Sequence, residues 1–504
     1  MKSNFFVDIH CHPSIKSFAR SFINERHTQN PDPKSKSSIW YRDAPSLFDK
    51  GKNFVAGLTN FIQSDATSLI KGRVSVVCLS FYPQEKGFFE NKLGSGLLSD
   101  TLTKLATEFG QPRIDHIQEM ESYWEDLKEE MLFVKQGVGN KVNVDGVDVQ
   151  YQIANTYQDI ENADRNGTLG ESIIIFVPTI EGGHVFDQMM DQTRPWNSLE
   201  GEISADRLEL TLDRIGQLRE GKEGLLRPVF ITLTHHFWNG ICGQAKSLGG
   251  LVKCAIDQSN GLQSGMTSAG KKIIHALLDE RRSEEGNEIR PILIDIKHMN
   301  RKSRLEYFDL LKTYTGRRIP IIVSHGGVTG LSAPGGSNKT SVAQEGVFIT
   351  DDINFYDDEI LEVESSGGIF GIQLDERRIG SKSALREARG HLLRRKILFS
   401  WAGLVWNQIR HMAELLDLNG RFAWGIQSLG TDFDGIIDPI NGYWTAKELD
   451  NLDDFLLMHA FNYLKEVKNP STLKQQRNRS ISAEEVVERV MTSNALNFLS
   501  IALT

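Results

Sequence analysis

The chain opens with Phe5-Phe6-Val7-Asp8-Ile9-His10-Cys11-His12, and the reading of this stretch decides the fold. Residues 5–9 are a short, nearly continuous apolar run, the pattern of a strand covered on both faces, as in a parallel sheet. Side chains two apart on a strand point the same way. His10 and His12, at its C-terminal end, therefore share one face and can hold one metal ion; neutral imidazoles suit zinc and other borderline divalent cations. A lone His-x-His is common by chance and more often marks two ordinary strand-end histidines. Its meaning depends on how the other strands end.

Seven further runs of the same kind follow, at 74–81, 172–178, 228–234, 291–296, 320–324, 367–374 and 423–429, separated mostly by helical patterns. Eight such strands predict an α/β fold, a (β/α)8 TIM barrel of the metal-dependent hydrolase type, with its functional residues at the C-terminal strand ends. The whole chain, 1–504, is expected to form this one barrel. Residues 82–170 are an insertion between the second and third strands, too long for a simple crossover. A helix is expected there over 117–133, and a hairpin over 141–152 around Asp145-Gly146. Residues 326–352, rich in Gly, Ser, Pro and Asn, form a second long connection on the catalytic face. Ser482-Ala483-Glu484-Glu485 starts a closing C-terminal helix over 480–504.

The 57 Lys and Arg against 66 Asp and Glu leave a formal net charge of −9, which argues against a nucleic-acid partner, since that needs a basic face. No apolar run of about 18 residues and no signal-peptide core occurs, so no membrane partner is expected. The cysteines, Cys11, Cys78, Cys242 and Cys254, are too sparse for a disulfide framework. A reducing, cytoplasmic location is expected.

The later strand ends carry the chemistry. The third is followed by Ile180-Glu181-Gly182-Gly183-His184, where a carboxylate can bridge two cations and the glycines allow close backbone approach. The fourth ends in Thr234-His235-His236, with Asn239 beyond as a candidate substrate contact; an imidazole there can polarise a carbonyl or stabilise an oxyanion. The fifth ends in Asp295-Ile296-Lys297-His298 and the sixth in Val323-Ser324-His325. The eighth ends in Gly430-Thr431-Asp432-Phe433-Asp434-Gly435, where a carboxylate can act as general base. Each residue alone reads equally well as a loop acid or a structural histidine. Of the 13 histidines, however, five (His10, His12, His235, His298 and His325) fall at strand C-termini. Together they supply a first ion site (His10, His12), a second (His298, His325), a bridge (Glu181) and a base (Asp432).

These blocks, in this order, resemble the membrane dipeptidase (renal dipeptidase) family of metallopeptidases within the amidohydrolase superfamily. The matching segments are 180–184, 231–235 with Asn239, 294–298, 320–325, 430–435 and 492–498. The resemblance implies a binuclear zinc barrel that hydrolyses dipeptides. By position, Glu181 would bridge the two divalent ions, His298 and His325 would bind the second, Asp432 would handle the proton of the water, and His235 would contact the substrate carbonyl region. The sequence departs from the family at two points. The family opens with His-x-Asp, whereas His12 stands here, as in deaminases, dihydroorotase-like enzymes and phosphotriesterase-like lactonases. The family's carboxylate-binding Arg before a segment like 354–359 is replaced by Asp351-Asp352-Ile353, with Arg377 and Arg378 as candidate substitutes. The expected activity is hydrolysis of a small dipeptide-like amide. The alternatives are a deaminase, a lactone or cyclic-amide hydrolase, and a non-catalytic barrel. A small-molecule substrate and a homodimer are expected.

Overall fold

Apolar runs buried on both faces become the strands of a closed barrel. The computed structural model describes residues 4–23, 27–56, 59, 61–89, 109–190, 202–248, 256–282, 286, 288–466 and 472–504. The strands are β1 (Phe6–Cys11), β2 (Val74–Phe81), β3 (Val142–Val144), β4 (Val147–Ile153), β5 (Ile173–Glu181), β6 (Phe230–Thr232), β7 (Arg281–Arg282), β8 (Glu288–Ile289), β9 (Leu293–Asp295), β10 (Ile322–Gly326), β11 (Ile369–Ile372) and β12 (Gln427–Leu429). Eight of them pair in parallel in the order β2-β1-β12-β11-β10-β9-β6-β5, and β5 closes onto β2 through Val76↔Ile175 to Phe81↔Ile180. Every residue of β1 and β2 is buried. This is the (β/α)8 barrel that the apolar runs predict.

The hairpin expected around Asp145-Gly146 is present as β3–β4, with both turn residues at positive φ. Sequence pattern alone does not tell what its second strand pairs with. On β5, β6 pairs with Ile180 and Glu181 alone, at the top of the strand. β4 fills the edge below, running parallel to β5 from Gln150↔Ile173 to Ile153↔Phe176. The hairpin thus extends the barrel wall.

The helix expected over 117–133 is instead two, Gln111–Glu119 and Tyr123–Lys135. Ser122 breaks the run because its hydroxyl caps the second helix, accepting from the Glu125 N–H. Asp187 then accepts from the Ser122 hydroxyl at 2.5 Å and from the Tyr123 N–H at 2.6 Å. This capping satisfies donors that a continuous helix would have paired internally.

At the C-terminus, Ser482 caps Ala483–Glu488, and a wide turn at Arg489–Ser493 leads into Asn494–Ala502. Thr492 donates to the Phe5 carbonyl, and Asn494 to the Trp424 and Gln427 carbonyls. The segment thereby ties the start of β1 to the approach to β12. Cys11, Cys78 and Cys242 are buried free thiols; Cys254 lies outside the described residues. Among the described residues, no helix is long and apolar enough to cross a membrane.

Candidate metal centre

Two buried aspartates set the rim geometry. Asp8, in β1, accepts from the His10 N–H at 3.2 Å, the Thr431 N–H at 3.0 Å and the Thr431 hydroxyl at 2.6 Å. Beyond it the chain after β12 continues as a partner of β1: the Asp432 N–H donates to the His10 carbonyl and the His12 N–H to the Phe433 carbonyl. These bonds, with Asp432 at φ 59°, place His10, His12 and Asp432 side by side. The His12 Nδ1 meets the Ser80 carbonyl of β2 at 3.0 Å, which turns Nε2 inward. Nε2 then lies 3.1 Å from Glu181 Oε2 and 3.6 Å from Asp432 Oδ1. The corresponding His10 Nε2 distances, to Glu181 Oε1 and Asp432 Oδ1, are 3.6 and 3.7 Å.

Glu181 is the last residue of β5. The two glycines after it are required. Gly182 adopts φ 102°, and a Cβ on Gly183 would stand 2.5 Å from the Leu233 carbonyl oxygen.

Asp295 repeats the role of Asp8 on the other side. It accepts from the N–H groups of Lys297 and Ser324 and from the hydroxyls of Ser324 and Thr232. The Ser324 hydroxyl also meets His325 Nδ1 at 2.9 Å, so the ring is oriented through serine by an aspartate. His298, at φ 65°, follows one residue after the position that corresponds to His10. The Nε2 atoms of His298 and His325 lie 3.4 and 3.7 Å from Glu181 Oε1. Burial and neighbouring imidazoles hold both rings well below the usual histidine range. They are neutral at pH 7, the form that ligates metals.

The donor set fits two cations. His10, His12, Glu181 and Asp432 converge on one point, and Glu181, His298 and His325 on a second, with Glu181 common to both. His10 Nε2, His12 Nε2 and Glu181 Oε1 are buried without a hydrogen-bond partner, at about 1–3 kcal/mol each if nothing occupied the site. Two ligands bound at about 2.1 Å to one tetrahedral ion stand about 3.4 Å apart. The separations above bracket that value and are mostly too long for hydrogen bonds. Among the described residues, neither carboxylate has a Lys or Arg within ion-pair reach. Burial would lower His12, but Asp432 and Glu181 draw it up to about 10, as expected of two acids that require a positive charge between them.

His235 stands beside this centre. Its Nε2 is 3.5 Å from Glu181 Oε1, and its Nδ1 is 2.7 Å from Glu85 Oε2. Glu85 also accepts from the Tyr82 hydroxyl and from the His236 and Phe237 N–H groups. Burial alone would raise the Glu85 carboxyl, but His235 holds it down at about 2. On the far side, Gln373 donates to Asp432 Oδ2 at 2.6 Å, with the buried Lys297 ammonium 3.5 Å from the Gln373 carbonyl oxygen. A cleft bordered by Lys16, Tyr82, Phe88, His236 and Ile436 leads down to Glu181 and His235.

Seven expected site residues, His10, His12, Glu181, His235, His298, His325 and Asp432, therefore converge. Two expected substrate contacts do not. Asn239 spends both ends of its amide on its own loop, donating to the Leu233 carbonyl and accepting from the Ile241 N–H. Arg377 is clamped to Asp375, which caps its helix, and also bonds the Ile436 carbonyl. Among the described residues, the Arg378 guanidinium bonds only the Ser247 carbonyl; its charge reaches Lys297 and His236, and both arginines act on Asp432. Glu85 and Gln373 are not singled out by sequence reasoning. Both follow the C-terminal ends of barrel strands, β2 and β11, and that position is the signal that could have found them.

No family model and no curated protein matches this sequence. Among solved structures, the probable dipeptidase PvdM from Pseudomonas aeruginosa shares the fold, with a TM-score of 0.52 and 12% identity over 99% of this chain and 95% of that one. A metallo peptidase from Rhodobacter sphaeroides, liganded with a phosphinate mimic of the dipeptide L-Ala-D-Ala, is similar at a TM-score of 0.49 and 12% identity, over 98% of each chain.

Proposed function

We propose that the chain is a binuclear metal-dependent hydrolase, dipeptidase-like, that cleaves a small amide. The observation that carries this reading is the pair of buried ligand clusters sharing Glu181. The dipeptide-like substrate class rests on the ordered sequence blocks at 180–184, 231–235, 294–298, 320–325 and 430–435.

In this reading His10 and His12 hold one ion, His298 and His325 the other, and Glu181 touches both. Two zinc-like ions would supply an acidified water and a Lewis-acid hold on the scissile carbonyl. Asp432, fixed at Oδ2 by Gln373, presents Oδ1 beside His10 and His12. It takes the proton of the attacking water there and returns it to the leaving amine. Glu85 accepts a hydrogen bond from the His235 Nδ1–H (a tautomer assigned from the contact), which leaves Nε2 facing Glu181 and the substrate carbonyl that would sit there. A protonated Nε2 would stabilise the developing oxyanion. Arg378, whose Nε and Nη1 make no hydrogen bond with a described residue, is the candidate substrate-carboxylate contact.

Metal analysis should find about two ions per chain, and full activity in a metal-free preparation would sink the proposal. A panel of dipeptides, N-acyl amino acids and lactones then tests the substrate class, with dipeptides expected fastest. Two observations favour a second reading: His12 stands where the resembled family has Asp, and Arg377 is committed to Asp375. Lactones or cyclic amides running fastest would select that reading.

A further inference from the structure

The opposite end of the barrel carries a constellation that hydrolysis does not use. A cavity of about 580 Å³ lies beneath the N-terminal ends of β6, β9 and β10, lined by Arg227, Arg281, Arg282, Arg290 and Arg317. Among its described lining residues, the ionisable side chains are these five arginines with Glu280 and Glu288. Arg282 and Glu288 are 3.5 Å apart on an exposed ribbon, and Arg281 is 3.6 Å from Glu220. Both contacts are loose, and pairs of this kind contribute little.

Two of the other three guanidiniums are held by neutral groups. Arg290 donates to the Ala502 and Arg227 carbonyls, and Arg317 to the Leu278 carbonyl. The Arg227 guanidinium makes no hydrogen bond or ion pair with any described residue. Carbonyls orient a guanidinium without cancelling its charge. Below the cavity, fully buried Arg219 donates to the carbonyls of Ala276, Asp279 and Ile289. Burial and the surrounding arginines push Arg219 and Arg290 down to about 10, which leaves both charged at pH 7. Capping the last carbonyls of helix Ser268–Leu278 accounts for Arg219 and Arg317. It does not account for Arg227, Arg281 and Arg282 converging on the same space.

Guanidinium forks match phosphate oxygens in pairs, and the volume is that of a small-molecule pocket. We propose that this arginine-lined cavity is a binding site for a diphosphate group, supplied either as inorganic pyrophosphate or as the tail of a nucleoside diphosphate.

Calorimetric titration of the metal-loaded protein at fixed ionic strength tests it, with pyrophosphate, ADP, phosphate and sulfate as probes. Pyrophosphate should bind at least roughly tenfold more tightly than phosphate or sulfate, as bidentate charge-assisted recognition requires. Arg227→Gln and Arg282→Gln, neither of which removes a buried partner, should each weaken it several-fold. A His325→Ala protein, disabled at the metal centre, should bind as the parent does, which separates this site from phosphate capture by the catalytic ions. ADP binding as tightly as pyrophosphate identifies a nucleotide source, and weaker ADP binding an inorganic one. Unchanged affinity in both arginine variants, loss of binding in His325→Ala, or no preference over sulfate would each overturn the proposal.

Discussion

The two halves of the metal centre use the same anchor and obtain different side chains from it. In each, a buried aspartate on a strand accepts the N–H two residues later and a hydroxyl from the neighbouring element: Asp8 with His10 and Thr431, Asp295 with Lys297 and Ser324. On β1 the residue so placed is a proposed ligand, His10, and His12 follows it at strand spacing. On β9 it is Lys297, 3.5 Å from Gln373, and the proposed ligand His298 follows with its backbone in the left-handed region. A regular strand end thus builds the first half. An irregular one builds the second and brings Lys297, whose pKa burial lowers to about 7, next to the group that positions Asp432.

Glu181 joins the halves, so its loss should have the largest effect. Glu181→Gln is expected to weaken binding at both sites and lower hydrolysis by about 10³-fold or more, because the several kcal/mol that bound metal ions supply would be lost with them. Elemental analysis showing two ions retained would break the comparison at its root. Next is Asp432→Asn, which should cost about 10²–10⁴-fold in kcat with metal content unchanged; loss of one ion would reassign it from base to obligatory ligand. Smaller effects separate the halves. Asp8→Asn and Asp295→Asn should each weaken one of two phases in a cobalt titration by about 10–100-fold, as outer-sphere partners do. Equal weakening of both phases would show that the halves are not independent. The smallest change is expected from His12→Asp. An added negative charge beside the cations makes the attacking water less acidic, so the acid limb of the kcat profile should move to higher pH while activity stays within about tenfold. A limb that stays in place would rule out His12 as a ligand.

Arg377 and Arg378 show how far sequence carries. Adjacent and identical in type, they offer no basis for choosing between them. Asp375, by capping the helix at Glu376–Ile379, captures the first, while the second donates to the Ser247 carbonyl. Glu85 and Gln373 fall at strand ends, yet a lone Glu or Gln there looks like any solvated residue. Their roles appear only when β2 is brought beside the His235 loop and β11 beside β12.

By itself, the sequence determined the eight buried strands, because two-sided burial demands unbroken apolar runs, and the His10–His12 pair, because side chains on a strand repeat every two residues. Those are local rules. Tertiary structure alone decided that β4 joins the barrel wall, that the helix in the insertion breaks at Ser122, that Asn239 serves its own loop and that Glu181 stands between two sets of imidazoles. Each depends on which group from a distant part of the chain arrives to satisfy a buried polar atom, and no local pattern specifies that partner.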